Sequence, residues 1–251
     1  MDERTLFVIV AMLAHHGTFW GWSAFVHLCH KLNWFKAYKI QDVEYNKELT
    51  IDCLKKCIVN HVVVYPIAMY CAYDLFKYFG MGVFEPLPPV QIILRDLLCA
   101  VAVNDTLFYW AHRALHHKSI YKYIHKQHHM FKVNVAMSAE FANPIEEVFA
   151  NIIPTMLAVL LLGSHMLVIA LWLVIRVSET LDAHSNFDFP FSPFSFFSWQ
   201  GGARRHEFHH SHNVGCYGSF TIFWDHIMGT DADFLRHESV RLKESGAKKQ
   251  K

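Results

Sequence analysis

The sequence predicts an all-α integral membrane protein with four to five transmembrane helices and a cytosolic, histidine-rich cap that holds a di-metal centre. Of its 251 residues, 53% are hydrophobic and only 18% are charged, whereas soluble domains carry about a quarter charged residues. Four apolar stretches are long enough to enter a bilayer, which takes about 20 residues per helix. Twelve of the nineteen histidines lie between positions 112 and 212. We expect one membrane-embedded domain over residues 1–251.

The apolar stretches give the expected order of helices. The first lacks the basic region and the small-residue cleavage site of a signal peptide, so we expect it to be retained. The last stretch is too long for one helix, and Gly163, Ser164 and His165 interrupt it near its middle, which predicts a tight helical hairpin. The five expected spans are 6–28, 57–79, 90–110, 145–162 and 166–181.

Loop charge predicts the orientation of these spans. The connection 30–56 carries six lysines, while the turn 80–89 has neither lysine nor arginine, which places the first connection in the cytosol. With five spans, the C-terminus and the basic tail 236–251 are cytosolic as well. Lys248 and Lys249 are the fourth and third residues counted back from the C-terminus, a pattern typical of retrieval to the endoplasmic reticulum.

Three histidine boxes follow one pattern in the segments that we place on the cytosolic face. They read HRALHH at 112–117, HKQHH at 125–129 and HEFHH at 206–210. Residues three and four apart share a helix face, so each box aims at least two imidazoles at one point. A further histidine directly follows the last span, whereas His165 lies at the opposite turn and is left out. The ten expected metal ligands are His112, His116, His117, His125, His128, His129, His184, His206, His209 and His210.

Ten imidazoles exceed the four ligands of a single zinc ion and fit two metals, with room for water or oxygen. Imidazole suits iron, zinc, copper and nickel alike. The expected setting is the mouth of an apolar bundle, which a lipid can reach from the bilayer and an electron donor from the cytosol. Oxidation of unreactive C–H bonds with oxygen needs a redox metal, which favours iron. The catalytic region is then expected at about 90–235.

Two alternative functions account for fewer of these sequence features. The third box also reads as H-E-x-x-H, the motif of a zinc protease with Glu207 as general base, but this leaves the first two boxes unexplained. A scaffold that binds metal without consuming oxygen is a second alternative. Isolated histidines such as His27, His61, His226 and His237 are expected at the surface or in the core. The net charge of +1 excludes nucleic acid as a partner.

The chain resembles the fatty acid hydroxylase/sterol desaturase superfamily and, within it, the C-4 methylsterol monooxygenases. The likeness runs from about residue 37 to about residue 231. The segments that carry it are 37–41, 105–106, 112–117, 120–126, 143–146, 182–185, 223–225 and 229–231.

The resemblance implies an enzyme of the endoplasmic reticulum membrane with two iron ions held by the boxes. It implies the use of O2 and of NAD(P)H electrons delivered by cytochrome b5 and its reductase, with a sterol or other lipid as substrate and stepwise oxidation of the C-4 methyl group. Glu207 stands where aspartate is common and is expected to orient a ligand histidine. Arg205 replaces a frequent histidine. Asn186 replaces a usual glycine, and the run 209–212 is closer to the sterol 25-hydroxylases.

Aromatic residues near the boxes are candidates for the wall of a substrate slot. They lie at the ends of expected spans or beside the histidines, where a lipid would approach the metals. The candidate substrate-binding residues are Phe108, Trp110, Phe141 and Trp224.

Overall fold

The structure, a computed structural model, describes the backbone of residues 1–249 and the side chains of residues 1–244. The expected all-α class is confirmed, since no β-strand occurs in that part of the chain. The side chains of Lys248 and Lys249, which carry the expected retrieval pattern, lie outside the described part. The helices are α1 Glu3–Leu32, α2 Lys47–Val59, α3 Tyr65–Tyr78, α4 Val90–Leu115, α5 Pro144–Glu146, α6 Ile153–Leu161, α7 Met166–Ala183, α8 Gly202–His212, α9 Phe223–Met228 and α10 Ala232–Lys249.

The first helix is defined by its caps. The Asp2 side chain accepts a hydrogen bond from the Thr5 amide at 2.9 Å, which satisfies one of the free N–H groups of the first turn. At the other end Asn33 adopts a left-handed conformation with φ 54°, which ends the helix. Over this length α1 packs along α7, and it also contacts α3.

Helices α2 and α3 form one continuous helical stretch with a π turn at Asn60–Val64 between them. A π turn adds one residue to a helix and is frequent at functional sites. Here it accompanies the burial of His61, which is 4% exposed, while the neighbouring Val62 is 71% exposed. The stretch begins at Lys47, ten residues earlier than the expected span 57–79.

Helices α5 and α6 are joined in the same way by a π turn at Glu147–Ile152. The hairpin expected at Gly163 is confirmed, since α6 ends at Leu161 and α7 begins at Met166. Gly163 has φ +59°, and a Cβ atom there would lie 2.2 Å from the Phe79 carbonyl oxygen. Only glycine fits this turn without displacing the backbone of the α3 end.

We therefore expect Gly163→Ala to lower the free energy of unfolding by about 2 kcal/mol or more, because it combines a left-handed backbone with a steric clash. Thermal unfolding of the detergent-solubilised protein measures the change. Gly21→Ala is the matched control, since nothing lies within 4 Å of its added Cβ. Equal midpoints for the two variants would contradict the assignment of this turn.

Two helical stretches, Lys47–Tyr78 and Pro144–Leu161, are long and apolar enough to cross a membrane. Helices α1, α4 and α7 are also long, but polar or charged residues interrupt their apolar sequences. The eighteen residues of α7, for example, include Arg176, Glu179 and Asp182. Length and composition thus indicate two of the five expected spans, and these two stretches indicate association with a membrane.

The remaining segments cover one end of the helix bundle. They comprise α8 to α10, the loops before α8 and the connection from α4 to α5, which contains 3-10 turns at His125–Met130 and Ala136–Glu140. Helix α8 packs on the end of α7. Its residues 206–210 are buried, although this segment lies outside the bundle. This cap holds most of the histidines.

Candidate metal centre

The three boxes converge in the cap, where nine histidines form two adjacent groups. In each group the candidate ligand nitrogens lie within 4.8 Å of one another. The five-histidine group contains His112, His116, His125, His129 and His209, and the four-histidine group contains His128, His184, His206 and His210. The rings of His129 and His210, one from each group, stack at 4.6 Å between centroids. The two groups therefore share a wall.

Helical spacing accounts for most of this grouping. Each box contributes one pair of histidines four residues apart to a single group: residues 112 and 116, residues 125 and 129, and residues 206 and 210. The first and third pairs lie on one face of an α-helix, whereas the second lies in a 3-10 turn, where this rule does not apply. Two of the three remaining boxed members, His128 and His209, face the other group, so the second and third boxes bridge both groups. His184 joins the four-histidine group from the end of α7.

The ring nitrogens face one another at close range. In the five-histidine group, His129 Nε2 lies 3.1 Å from the Nε2 atoms of His116, His125 and His209. In the four-histidine group, His206 Nε2 lies 2.8 Å from His184 Nε2 and 3.1 Å from His210 Nε2. Ligands of a tetrahedral metal with bonds of 2.0–2.1 Å are about 3.3 Å apart. The spacing therefore fits two metal ions.

The hydrogen bonds of the ring nitrogens that face away from each group show which nitrogen of each ring carries the lone pair. His112, His184, His209 and His210 donate Nδ1–H to backbone carbonyls of Tyr217, Thr180, Gly215 and Phe131, at 2.6–3.0 Å. A ring that donates through Nδ1 carries its lone pair on Nε2. The Nε2 lone pairs thus point into the groups, where their mutual repulsion needs a cation. This is the outer-contact pattern of metal-bound histidine.

Burial keeps these rings in the form that binds metal. It lowers the pKa of His128, His206 and His210 well below the usual value, and the neighbouring rings lower it further. The rings are therefore neutral at pH 7. Neutral imidazole is the form that ligates metals.

One boxed histidine lies apart from both groups. Helix α4 ends at Leu115, so His117 follows the helix end and is exposed. Its Nδ1 lies 3.4 Å from the Ser119 amide nitrogen. The structure thus brings together nine of the ten expected ligands.

Two buried carboxylates, Glu146 and Glu207, lie near the two histidine groups. Glu146 Oε1 lies 2.8 Å from Nδ1 of His125. Glu207, expected to orient a ligand histidine, instead accepts hydrogen bonds from Gln41 Nε2 at 2.6 Å and from Asn134 Nδ2 at 2.9 Å. Burial raises the pKa of Glu207 to about 7. These two side-chain amides thus hold the Glu207 carboxylate.

Two departures from the family pattern have a structural explanation. Asn186 has φ +61°, a conformation that suits glycine and that asparagine tolerates. Its side chain also accepts a hydrogen bond from the Gln41 amide at 2.9 Å. Arg205 lies 3.5 Å from Asp231 and stacks over the Phe234 ring. It therefore contacts the outer helices of the cap.

An apolar cavity of about 330 Å3 opens between α1, α3, α6 and α7. None of the four expected aromatic residues lines it. Phe108 borders a small cavity of about 20 Å3 beside His184, and Trp224 lines an outer groove. Trp110 is 43% exposed, and Phe141 is buried against Phe131. Sequence reasoning missed the lining of the cavity because it comes from four separate helices.

The comparison with known proteins agrees with this geometry. The family model for fatty acid hydroxylases matches residues 97–230, more than half of the chain and all nine converging histidines. The chain belongs to the fatty acid hydroxylase family. The expected resemblance is thereby confirmed, and the imidazole pairs described above are the histidine boxes of a fatty acid hydroxylase family member.

The relatives that match this fatty acid hydroxylase family member include methylsterol monooxygenases and aldehyde decarbonylases. A methylsterol monooxygenase of Rattus norvegicus is 32% identical, over 99% of this chain and 86% of its own length. A putative methylsterol monooxygenase of Dictyostelium discoideum is 32% identical, over 95% and 88%. A very-long-chain aldehyde decarbonylase of Oryza sativa subsp. indica is 33% identical, over 96% and 92%. No solved structure matches the chain.

Proposed function

We propose that this protein is a membrane-embedded di-iron monooxygenase that oxidises the C-4 methyl group of 4-methylsterols. The observation that carries the proposal is the convergence of nine imidazoles, eight of them buried, into two adjacent groups beside an apolar cavity. Relatives named methylsterol monooxygenase match it over nearly their full length. The aldehyde decarbonylases are equally similar, and they provide the alternative that the experiment must distinguish.

In this proposal the five- and four-histidine groups each hold one iron ion. The ions supply the reduction of O2 and the oxidation of a C–H bond. The residues of the chain supply the rest: Glu146 and four backbone carbonyls fix the rings, and the cap excludes water. The cavity positions the lipid, and Thr180 links the two parts, because it lines the cavity while its carbonyl oxygen accepts from His184.

We propose that the five long helical stretches all cross the membrane of the endoplasmic reticulum. Each presents exposed large hydrophobic residues, among them Leu13, Val62, Leu98, Phe149 and Leu171. Contiguous exposed apolar surface of this extent is unusual in water and typical of a lipid-facing bundle.

The proposed orientation places the cap and the C-terminus in the cytosol. The lysine-rich connection 30–56 lies at the end of the bundle that holds the histidines, since Gln41 donates to Glu207 there. Positively charged connections favour the cytosolic side.

Cytochrome b5 with its reductase is the proposed electron source. Residues 112–139 contain five basic side chains and no acidic one. Four lysines of this segment, Lys118, Lys122, Lys126 and Lys132, are exposed around the boxes. Such a surface favours an acidic redox partner through charge complementarity.

The test uses microsomes that contain the protein, supplied with NADH and either a 4,4-dimethylsterol or a long-chain aldehyde. We expect products oxidised at the C-4 methyl group, detected by mass spectrometry, which disappear in the His128→Ala variant and in microsomes prepared from cells without cytochrome b5. Conversion of the aldehyde to a shortened hydrocarbon with unchanged sterol would instead support the decarbonylase alternative. Hydroxylation of the sterol side chain would support an activity like that of the sterol 25-hydroxylases.

A further inference from the structure

A second polar cluster lies beneath the metal centre and outside the two histidine groups described above. We define the Glu140 network as His15, His61, Tyr65, Glu140 and Glu147. Glu140 lies 3.3 Å from His15 Nε2 and 2.8 Å from His61 Nε2. The Tyr65 hydroxyl lies 3.3 Å from Glu140 Oε2 and 3.1 Å from Glu147 Oε1. Sequence analysis placed His61 at the surface or in the core, and its burial with a carboxylate gives it a specific partner.

The network is costly to the fold. Burying carboxylates and imidazoles between apolar helices is unfavourable, and ionisable groups at such depth mark functional sites by default. Two of the members, His61 and Glu147, lie within the two π turns, Asn60–Val64 and Glu147–Ile152. Each of the two π turns therefore supplies one residue to the Glu140 network.

The network occupies the polar end of the apolar cavity. Along α3, Tyr65 precedes the apolar lining residues Met69 and Phe76, and Glu147 likewise precedes Met156 and Leu160 in the stretch that ends with α6. Both stretches start at the cap. The cavity is thus apolar over most of its length and polar next to the metal groups.

Two contacts link this polar end to the histidines. Glu147 follows Glu146, which touches His125. Thr180 lines the cavity, and its carbonyl oxygen holds His184. A group bound at the network therefore lies at the end of the cavity that is linked to both histidine groups, through Glu146 and Thr180.

The hydrogen-bond inventory indicates which group binds. The Tyr65 hydroxyl has a single proton and stands between two carboxylates. Glu140 has donors in His15 and His61, whereas Glu147 has Asn151 Nδ2 at 3.2 Å as its other donor. Because Glu140 has two other donors, the Tyr65 proton is free to turn to a new acceptor, and Glu147 has room for one more donor.

We infer that the Glu140 network binds a hydroxyl group of the lipid substrate, on the carbon next to the one that carries the oxidised group. The substrate hydroxyl donates to Glu147 and accepts from Tyr65, while the apolar body fills the cavity. This inference rests on the proposed function. In a 4-methylsterol the 3-hydroxyl group stands on the carbon next to C-4, so anchoring it directs the C-4 substituents to the metals. A long-chain primary alcohol shares the same chemistry.

The experiment measures binding rather than turnover, on the purified metal-loaded full-length protein. The ligands are a 4,4-dimethylsterol and its 3-methyl ether, which cannot donate a hydrogen bond. We expect the ether to bind roughly 10-fold more weakly, because it leaves a buried acceptor without its donor. In Glu147→Met, which has no carboxylate, the two ligands should bind within about 3-fold of each other. Unchanged metal content shows that this variant is folded.

Two tyrosines of α3 form a matched pair. Tyr65→Phe should weaken binding of the sterol by about 5-fold, because the hydroxyl loses a neighbouring partner. Tyr73→Phe should leave it unchanged, since Tyr73 donates to Glu3 at the other end of the helix, outside the cavity. Equal effects of the two substitutions would overturn the inference.

The outcomes separate this inference from the proposed function. If sterol and ether bind equally to the native protein, the hydroxyl anchor is wrong, whereas the sterol assignment stands. A long-chain alcohol and the corresponding aldehyde form the second ligand pair. Preference for the alcohol with no sterol binding supports the anchor and removes the methylsterol assignment. Preference for the aldehyde overturns the anchor.

Discussion

Replacing His209 by alanine should abolish turnover and remove bound metal. His209 is fully buried, its Nε2 lies 3.1 Å from those of His116 and His129, and its Nδ1 donates to Gly215. Loss of an outer contact to a ligand typically costs roughly 10–100-fold in metal affinity or activity, and loss of a ligand should cost more. Metal content by mass spectrometry and sterol oxidation in microsomes measure both effects.

His117→Ala is the control for this prediction. It removes a histidine from the first box, but one that is exposed and lies outside both groups. We expect native metal content and at least about half of native activity, since exposed substitutions are usually mild. Full metal content in His209→Ala, or loss of metal in His117→Ala, would contradict the assignment of the groups.

Replacing Glu146 by alanine should weaken metal binding by roughly 10–100-fold. The carboxylate lies 2.8 Å from His125 Nδ1, and without it the ring loses both its orientation and part of its basicity. Competition with a chelator measures the loss, which should be smaller in Glu146→Gln because the amide keeps a polar oxygen next to the His125 ring. Glu48→Ala removes an exposed carboxylate from α2 and should change nothing. Chelator resistance equal to that of the native protein would contradict this role of Glu146.

Spacing along the chain predicted the metal centre better than it predicted the surroundings. Pairs four residues apart lie on one face of an α-helix, so the spacing of the boxes predicted that these histidines converge, and nine of them do. His117 differs because the helix ends before it, and end positions depend on local turns rather than on spacing. The contacts of Glu207 with Gln41 and Asn134 depend on loops distant in sequence, which no periodic pattern encodes.

In the helix bundle, the sequence predicted the turn at Gly163 but not the buried polar residues. The break at Gly163 was visible because glycine in an apolar run is a strong local signal. The burial of His61 was not, because a π turn shifts the helical register by one residue without any residue type that marks it. The Glu140 network therefore emerges only when α1, α3 and the Ala136–Glu140 turn are brought together.

The two histidine groups join distant parts of the chain. His116 and His209 are separated by 93 positions, and His128 and His184 by 56, so metal ions bound there would close loops as long as those closed by structural disulfides. Closing long loops lowers the entropy of the unfolded chain, and metal binding adds its free energy to folding. The histidines proposed to carry the chemistry would therefore also fasten the cap to the bundle, and selection for activity and for stability would act on the same side chains.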